Sequence, residues 1–296
     1  MRPVSRPRRE IVMNSWNSGA KLAIAVCVGL AVSAPAQNRK EMKFNVGAGS
    51  SLTITNDFGP VTVHVAPGSQ IVANATLRSD QTEIDQTHNG SRVELLAHSV
   101  QQKPAGENSR VEFDVTVPAD CSLIIHSSAG PISIERLKGD INADGDLANI
   151  DVHDVGGGHV HLRTLKGTIN LTNVTDGPVE ISSVSGPVTL KNVSGPSVEV
   201  NTTNGAISYA GMFSNNGDYE FTTHSGDINV ALPANASIDV AARSVTGKVE
   251  NDFPFRPKQH VPFPVTQGRA FAGTSNSGAS SVQLRSYSGT IRVKKQ

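Results

Sequence analysis

A chain of 296 residues has room for one large β domain or two small ones, and its 26 basic and 26 acidic side chains leave no net charge to draw it to nucleic acid. Only 18% of residues are charged and 4% are aromatic, while 27 glycines sit among abundant Val, Ile, Thr, Ser and Asn. That mixture disfavours a helical fold and predicts a mostly β protein.

At the N-terminus, Arg2, Arg6, Arg8 and Arg9 precede the apolar run "LAIAVCVGLAV" (22–32) and then "SAPAQ". This order predicts a secretory signal over residues 1–36, with Ala34-Pro35-Ala36 as the cleavage site before Gln37. Eleven apolar residues are too few for a bilayer span, which needs ~20, so the mature chain is expected to hold no stable membrane span; an uncleaved anchor is the alternative. The basic region is long for a signal, and Met13 is a second candidate start. Cleavage would leave 21 basic against 25 acidic residues, which again argues against a nucleic-acid partner. Cys27 lies inside the apolar run rather than after it, so it does not read as a lipid-attachment site. Cys121, in "ADCSLIIH", is then without a disulfide partner and reads as a small buried apolar residue.

Residues 37–43 read as a linker, and 44–296 as a single domain. Its first part, 44–121, carries strand patterns at "SLTIT", "PVTVHV", "SQIVANATLRS", "RVELLAH" and "RVEFDVTVP". The polar stretches "DQTEIDQTHNG" and "SVQQKPAGENS" break any fixed rhythm, so this part is expected to be an irregular β cap. From 122 onward the pattern is regular. Apolar-x-apolar triplets recur every nine or ten residues from "ISI" at Ile132 to "IDV" at Ile238, resuming at "VQL" (Val282) and "IRV" (Ile291), and most follow a glycine. Two such units make a coil of about 19 residues, as central positions 142, 161, 180, 199, 220 and 239 show. The fold expected is an all-β solenoid of stacked short strands. An antiparallel sandwich competes, because strand spacings of about 8–12 residues fit it too. Residues 251–273, with four prolines and several aromatics, read as an ordered excursion loop and a place for specific recognition.

The register makes a site prediction. One outward face would carry Glu180, Glu199, Glu220 and Asp239 on successive rungs, and the opposite face Asn170, Thr189, Ser208 and Asn229. Carboxylates about 4.8 Å apart repel one another, which would favour a divalent cation such as calcium or a basic partner. Alternatively they splay into water, with Lys191 offsetting the charge. His159 and His161 in "GGGHVHL" have a spacing two metal ligands could use, although surface histidines of a polar strand share it. Asp140, Asp144, Asp146 and Asp151 faintly resemble a calcium loop but lack its terminal Glu, and read better as turn aspartates. The sequence contains no GxSxG, HExxH, phosphate-loop or CxxC motif, so no catalytic residue or cofactor is assigned.

"SLTITNDFGPVTVHV", the turns "SVSGPV", "THSGDI" and "SVTGKV", and the terminal "VQLRSYSGTIRV" resemble the bacterial putative-adhesin domain of unknown function, related to the head-GIN putative adhesins. The likeness runs from about Phe44 to the C-terminus. It implies an exported β-solenoid-like protein with an adhesive or envelope role and no established catalytic residues. The leading expectation is thus a non-catalytic exported protein, in the periplasm, on the cell surface or outside the cell, that binds a cell-surface polymer or an envelope protein. The alternatives are a periplasmic envelope-stress regulatory or scaffolding module and, third, a polysaccharide-active enzyme.

Overall fold

The computed structural model describes residues 38–100, 109–258, 263 and 266–296; the expected signal, 1–36, lies outside the described residues. Strands alternate between two facing sheets, of 12 and 13 strands among the described residues. In the middle of the molecule each strand pairs in parallel with the strand two places further along the chain. Val160–Lys166 pairs with Val179–Ser185, which pairs with Ser197–Thr202, while Ile169–Thr175 pairs with Val188–Ser194 in the opposite sheet. Parallel pairing with a 19-residue offset is a solenoid and not the antiparallel sandwich.

The core follows from period-two patterning. In one coil Val179 and Ile181 from one sheet meet Val188, Leu190 and Val193 from the other, all at most 2% exposed. Five buried aliphatics per coil, one more than the triplets alone indicate, contribute on the order of 1.5–3 kcal/mol each. The fifth enters through a repeated bulge. Asp154, Asn173 and Asn192 have φ of 58°, 56° and 54°, so each drops out of the ladder and turns the following valine inward. Their side chains stack: Asn192 Nδ2 donates to Asn173 Oδ1 at 3.0 Å, and Asn173 Nδ2 donates to Asp154 Oδ1 at 2.7 Å.

The turn leaving the 13-stranded sheet is built from a second repeat, Ser/Thr-x-x-Gly. Thr202 Oγ1 accepts the N–H of Gly205 at 3.1 Å, Thr223 Oγ1 that of Gly226 at 3.0 Å, and Ser286 Oγ that of Gly289 at 2.8 Å. Each hydroxyl is buried and supplies the acceptor that the turn N–H would otherwise lack. The glycines stack on one another so closely that a β-carbon on Gly205 would fall 2.0 Å from the carbonyl oxygen of Gly186. Where the spacing grows to 21 residues, the enlarged coil is filled by Tyr209, Tyr219 and Phe221, and Tyr219 Oη donates to the Gly195 carbonyl at 2.9 Å.

At the two ends the order in space departs from the order in sequence. The last two strands, Ser280–Ser286 and Ile291–Lys295, enter the stack one place early. Ser280–Ser286 lies between Asp218–Thr223 and Ile238–Ser244, and Ile291–Lys295 between Ile228–Leu232 and Val249–Asn251. The glycine column follows: Gly289 packs on Gly226, and Gly247 on Gly289. At the other end, Ser51–Phe58 lies between Arg92–Ser99 and Ser122–Ala129, and Val61–Val65 between Val111–Val117 and Ile132–Glu135. Residues 51–65 therefore form an ordinary coil within the part expected to be irregular, and antiparallel strands around it form the cap: Thr82–Asn89 on one sheet, Gln70–Leu77 and Asn38–Asn45 on the other. The expected linker 37–43 is corrected by this last strand, whose Met42 and Phe44 pack toward the core.

Two outcomes check this account. Gly205→Ala should destabilise the protein by about 3 kcal/mol or more, read from urea unfolding, because backbone rather than a movable side chain blocks the added methyl. Removing residues 279–296 should expose everything from Ile238 onward to protease while the stack through Leu232 persists; resistance through Ser244 would contradict a stabilising role for the inserted strands.

Candidate functional site

The outer face of the 13-stranded sheet contains most of the predicted stripe. Glu180, Glu199 and Glu220 lie side by side on neighbouring strands, as the 19-residue register requires. Asp239 does not continue the row. Gln283 of the inserted strand stands beside Glu220, Ala241 stands beside Gln283, and Asp239 is instead paired with Ser281. The regular count failed there because the next strand in space is not the next in sequence.

Each of these carboxylates has a partner within the chain. Glu180 faces His161 at 3.3 Å and His159 at 3.6 Å, so the histidine pair and the stripe, separate in sequence, meet on one patch. Glu199 accepts from Asn201 at 2.6 Å, Glu220 pairs with Arg285, and Asp239 pairs with Lys258. Among the described residues no group of three or more His, Cys, Asp or Glu side chains is placed to hold a metal ion. Of the loop aspartates, Asp140 accepts the His159 N–H at 2.9 Å and Asp144 faces His126 at 3.3 Å. Cys121 is buried and free, and burial pushes its thiol above the ordinary range.

One hollow of this face lies where the inserted strand, Ile238–Ser244, Lys258 and Phe263 meet. This hollow of about 470 Å³, within the range of small-ligand sites, is lined by Ala241, Gln283, Arg243, Arg285, Lys258 and Phe263, among others. It exists because Ala241 and its neighbour Ala272 are short while the side chains around them are long. Arg243 and Arg285 stand directly beside one another on adjacent strands. Neither arginine is conspicuous in sequence; the signal for the hollow is the aromatic, proline-rich excursion that contributes Lys258, Phe263 and Ala272 to its lining.

The opposite face has a smaller trough of about 180 Å³ over Ser208, Ala210, Asn229 and Ala231, lined also by Lys191, Arg292 and Lys294. The predicted Asn170, Thr189, Ser208 and Asn229 do form a row there, and Arg292 extends it. Arg292 is also a clamp: it reaches Asp227 at 2.8 Å and Glu250 at 3.1 Å on the two flanking coils.

Together the parts define a two-sheet parallel β-solenoid with straight outer rows and a hollow lined by Arg243, Arg285 and Lys258. The sequence from 50 to 294 matches the family model described as Toastrack DUF4097, and the chain belongs to that family. No curated protein matches it. Among solved structures it is similar to a putative cell adhesion protein from Clostridium sporogenes, at 14% identity over 88% of this chain and 100% of that one, with a TM-score of 0.30. A putative adhesin from Bacteroides fragilis is similar at 10% identity, 88% and 98% coverage and a TM-score of 0.36. One from Parabacteroides merdae is similar at 12% identity, 86% and 95% coverage and a TM-score of 0.27. The family assignment rests on the sequence match alone.

The Asp227 clamp predicts a pH dependence. The Thr290 N–H, and then the Arg292 guanidinium, hold the Asp227 carboxyl below its ordinary range. A depressed carboxylate adds stability above its unfolded pKa of about 4 and loses it as the pH falls through the lower folded value. Asp227→Asn should therefore cost about 1 kcal/mol at neutral pH, a partly exposed charge-assisted contact, with the difference from the wild type shrinking as the pH is lowered below about 4. Urea unfolding of both proteins across that range measures it.

Proposed function

We propose that this protein is an exported, non-catalytic solenoid that binds a macromolecular partner, a cell-surface polymer or another envelope protein, along its outer faces. The observation that carries the reading is the outer surface. Polar side chains stand in straight rows at the spacing of adjacent strands, about 4.8 Å, and on one face the row leads to the hollow lined by Arg243, Arg285 and Lys258. A rigid face with a periodic display suits an extended partner, since each coil adds the same kind of contact and weak contacts sum. The N-terminal sequence supports export, because its basic region, apolar run and small-residue site have the order of a secretory signal.

Protease treatment of intact cells, compared with lysed ones and followed with an antibody against the chain from Gln37, tests the location this role needs. Digestion on intact cells is the expected result. Protection until the outer envelope is opened would move the protein to a periplasmic scaffolding or regulatory role.

A further inference from the structure

We propose that the hollow on the 13-stranded sheet binds the carboxylate of an acidic sugar unit, with Arg243 and Arg285 as the paired donors. The proposal rests on the reading of the protein as a polymer-binding solenoid and names the ligand chemistry.

Two arginines in direct register on neighbouring strands repel each other, an arrangement that works against folding. Arg285 is offset by Glu220 and also donates to Gln283. Arg243 is exposed and, among the described residues, has no ion pair. With Asp239 already paired to Lys258, the hollow keeps one uncompensated guanidinium beside a second one. Guanidinium groups present forked N–H donors that match the two oxygens of a carboxylate.

The rest of the lining suits a sugar ring. The hollow is of small-ligand size, Ala241 and Ala272 form its floor, Gln283 and Ser281 offer polar side chains, and Phe263 supplies an aromatic face. An acidic peptide adding as a strand would need free backbone groups at a sheet edge. Here Ile238–Ser244 is paired on both sides, by Ala270–Thr274 and by Ser280–Ser286, so only side chains meet the ligand.

The test measures binding of the purified full chain by isothermal titration to polygalacturonate, to its methyl ester, to polyglutamate and to neutral pullulan. The expected result is binding of polygalacturonate alone. Arg243→Ala should weaken it by about tenfold or more without lowering the thermal midpoint, since the arginine is exposed and repelled by its neighbour. Lys191→Ala, which removes a cation from the other sheet, should leave it unchanged. Equal binding to polyglutamate, to the ester or to pullulan, or an equal loss in Lys191→Ala, would overturn the proposal. So would the absence of polygalacturonate binding. Labelled wild type and Arg243→Ala applied to cells separate the two levels: equal coating by both removes the carboxylate site and leaves the polymer-binding role standing, whereas no coating by either removes that role.

Discussion

From Gly167 onward each coil turns directly above the same turn of the coil beneath it, and the backbone there leaves no room for a β-carbon. The carbonyl of one glycine occupies the space where the next glycine's side chain would begin. Such close approach would strand the turn N–H groups away from water, and the buried hydroxyl three residues earlier supplies the acceptor. At Gly205, Gly226, Gly247 and Gly289, glycine and hydroxyl together fix where the next strand starts. Once the starts coincide, the inward aliphatics stack, the bulge residues stack, and the outward residues fall into rows. The 19-residue period is a consequence of that vertical contact, which also explains why the coil that needs 21 residues must carry large rings to stay in line.

A stack of parallel coils has a second requirement, because its last coil exposes an unpaired edge at each end. Here the terminal coils in sequence are not the terminal coils in space. The first and last coils are both enclosed by neighbours; antiparallel strands lie beyond the first in both sheets and beyond the last in the 13-stranded sheet, while the 12-stranded sheet ends on the short parallel strand Val249–Asn251. Enclosure ties the C-terminal strands to partners on both sides and places the Asp227–Arg292–Glu250 clamp across three coils. It also demands contacts between segments more than 60 residues apart, which a strictly sequential stacking of repeats would not need.

Most of the regular stack was legible in the sequence, since a period of two within strands and a period of 19 between them together assign each residue a sheet, a face and a rung. Glu180, Glu199 and Glu220 stand where that arithmetic puts them. The same arithmetic, carried across, would have brought His161 beside Glu180. The bulge ladder was also written out, as "HDV", "TNV" and "KNV" at a fixed offset, but the triplet pattern draws attention to the residues before it. What could not be read was the order of the final coils. "VQL" and "IRV" have the same local pattern as any other unit, and local pattern says which way side chains point, not which strand lies alongside. Asp239 was misplaced for that reason.

The same break in order creates the candidate site. Within the regular coils, outward neighbours in the central rows are copies of one repeat, such as Glu180 beside Glu199 beside Glu220 and Asn170 beside Thr189 beside Ser208. Such rows can hold a surface but cannot distinguish one ligand from another. Inserting Ser280–Ser286 next to Ile238–Ser244 sets side by side residues that are 42 positions apart and belong to different kinds of unit, arginine against arginine and glutamine against alanine. Long side chains around short ones leave a hollow, and like charges in register leave a charge that the stack does not satisfy. Selectivity in a solenoid has to come from such a departure, and the inserted coil is where this chain departs furthest from its own repeat while keeping the strands that hold it rigid.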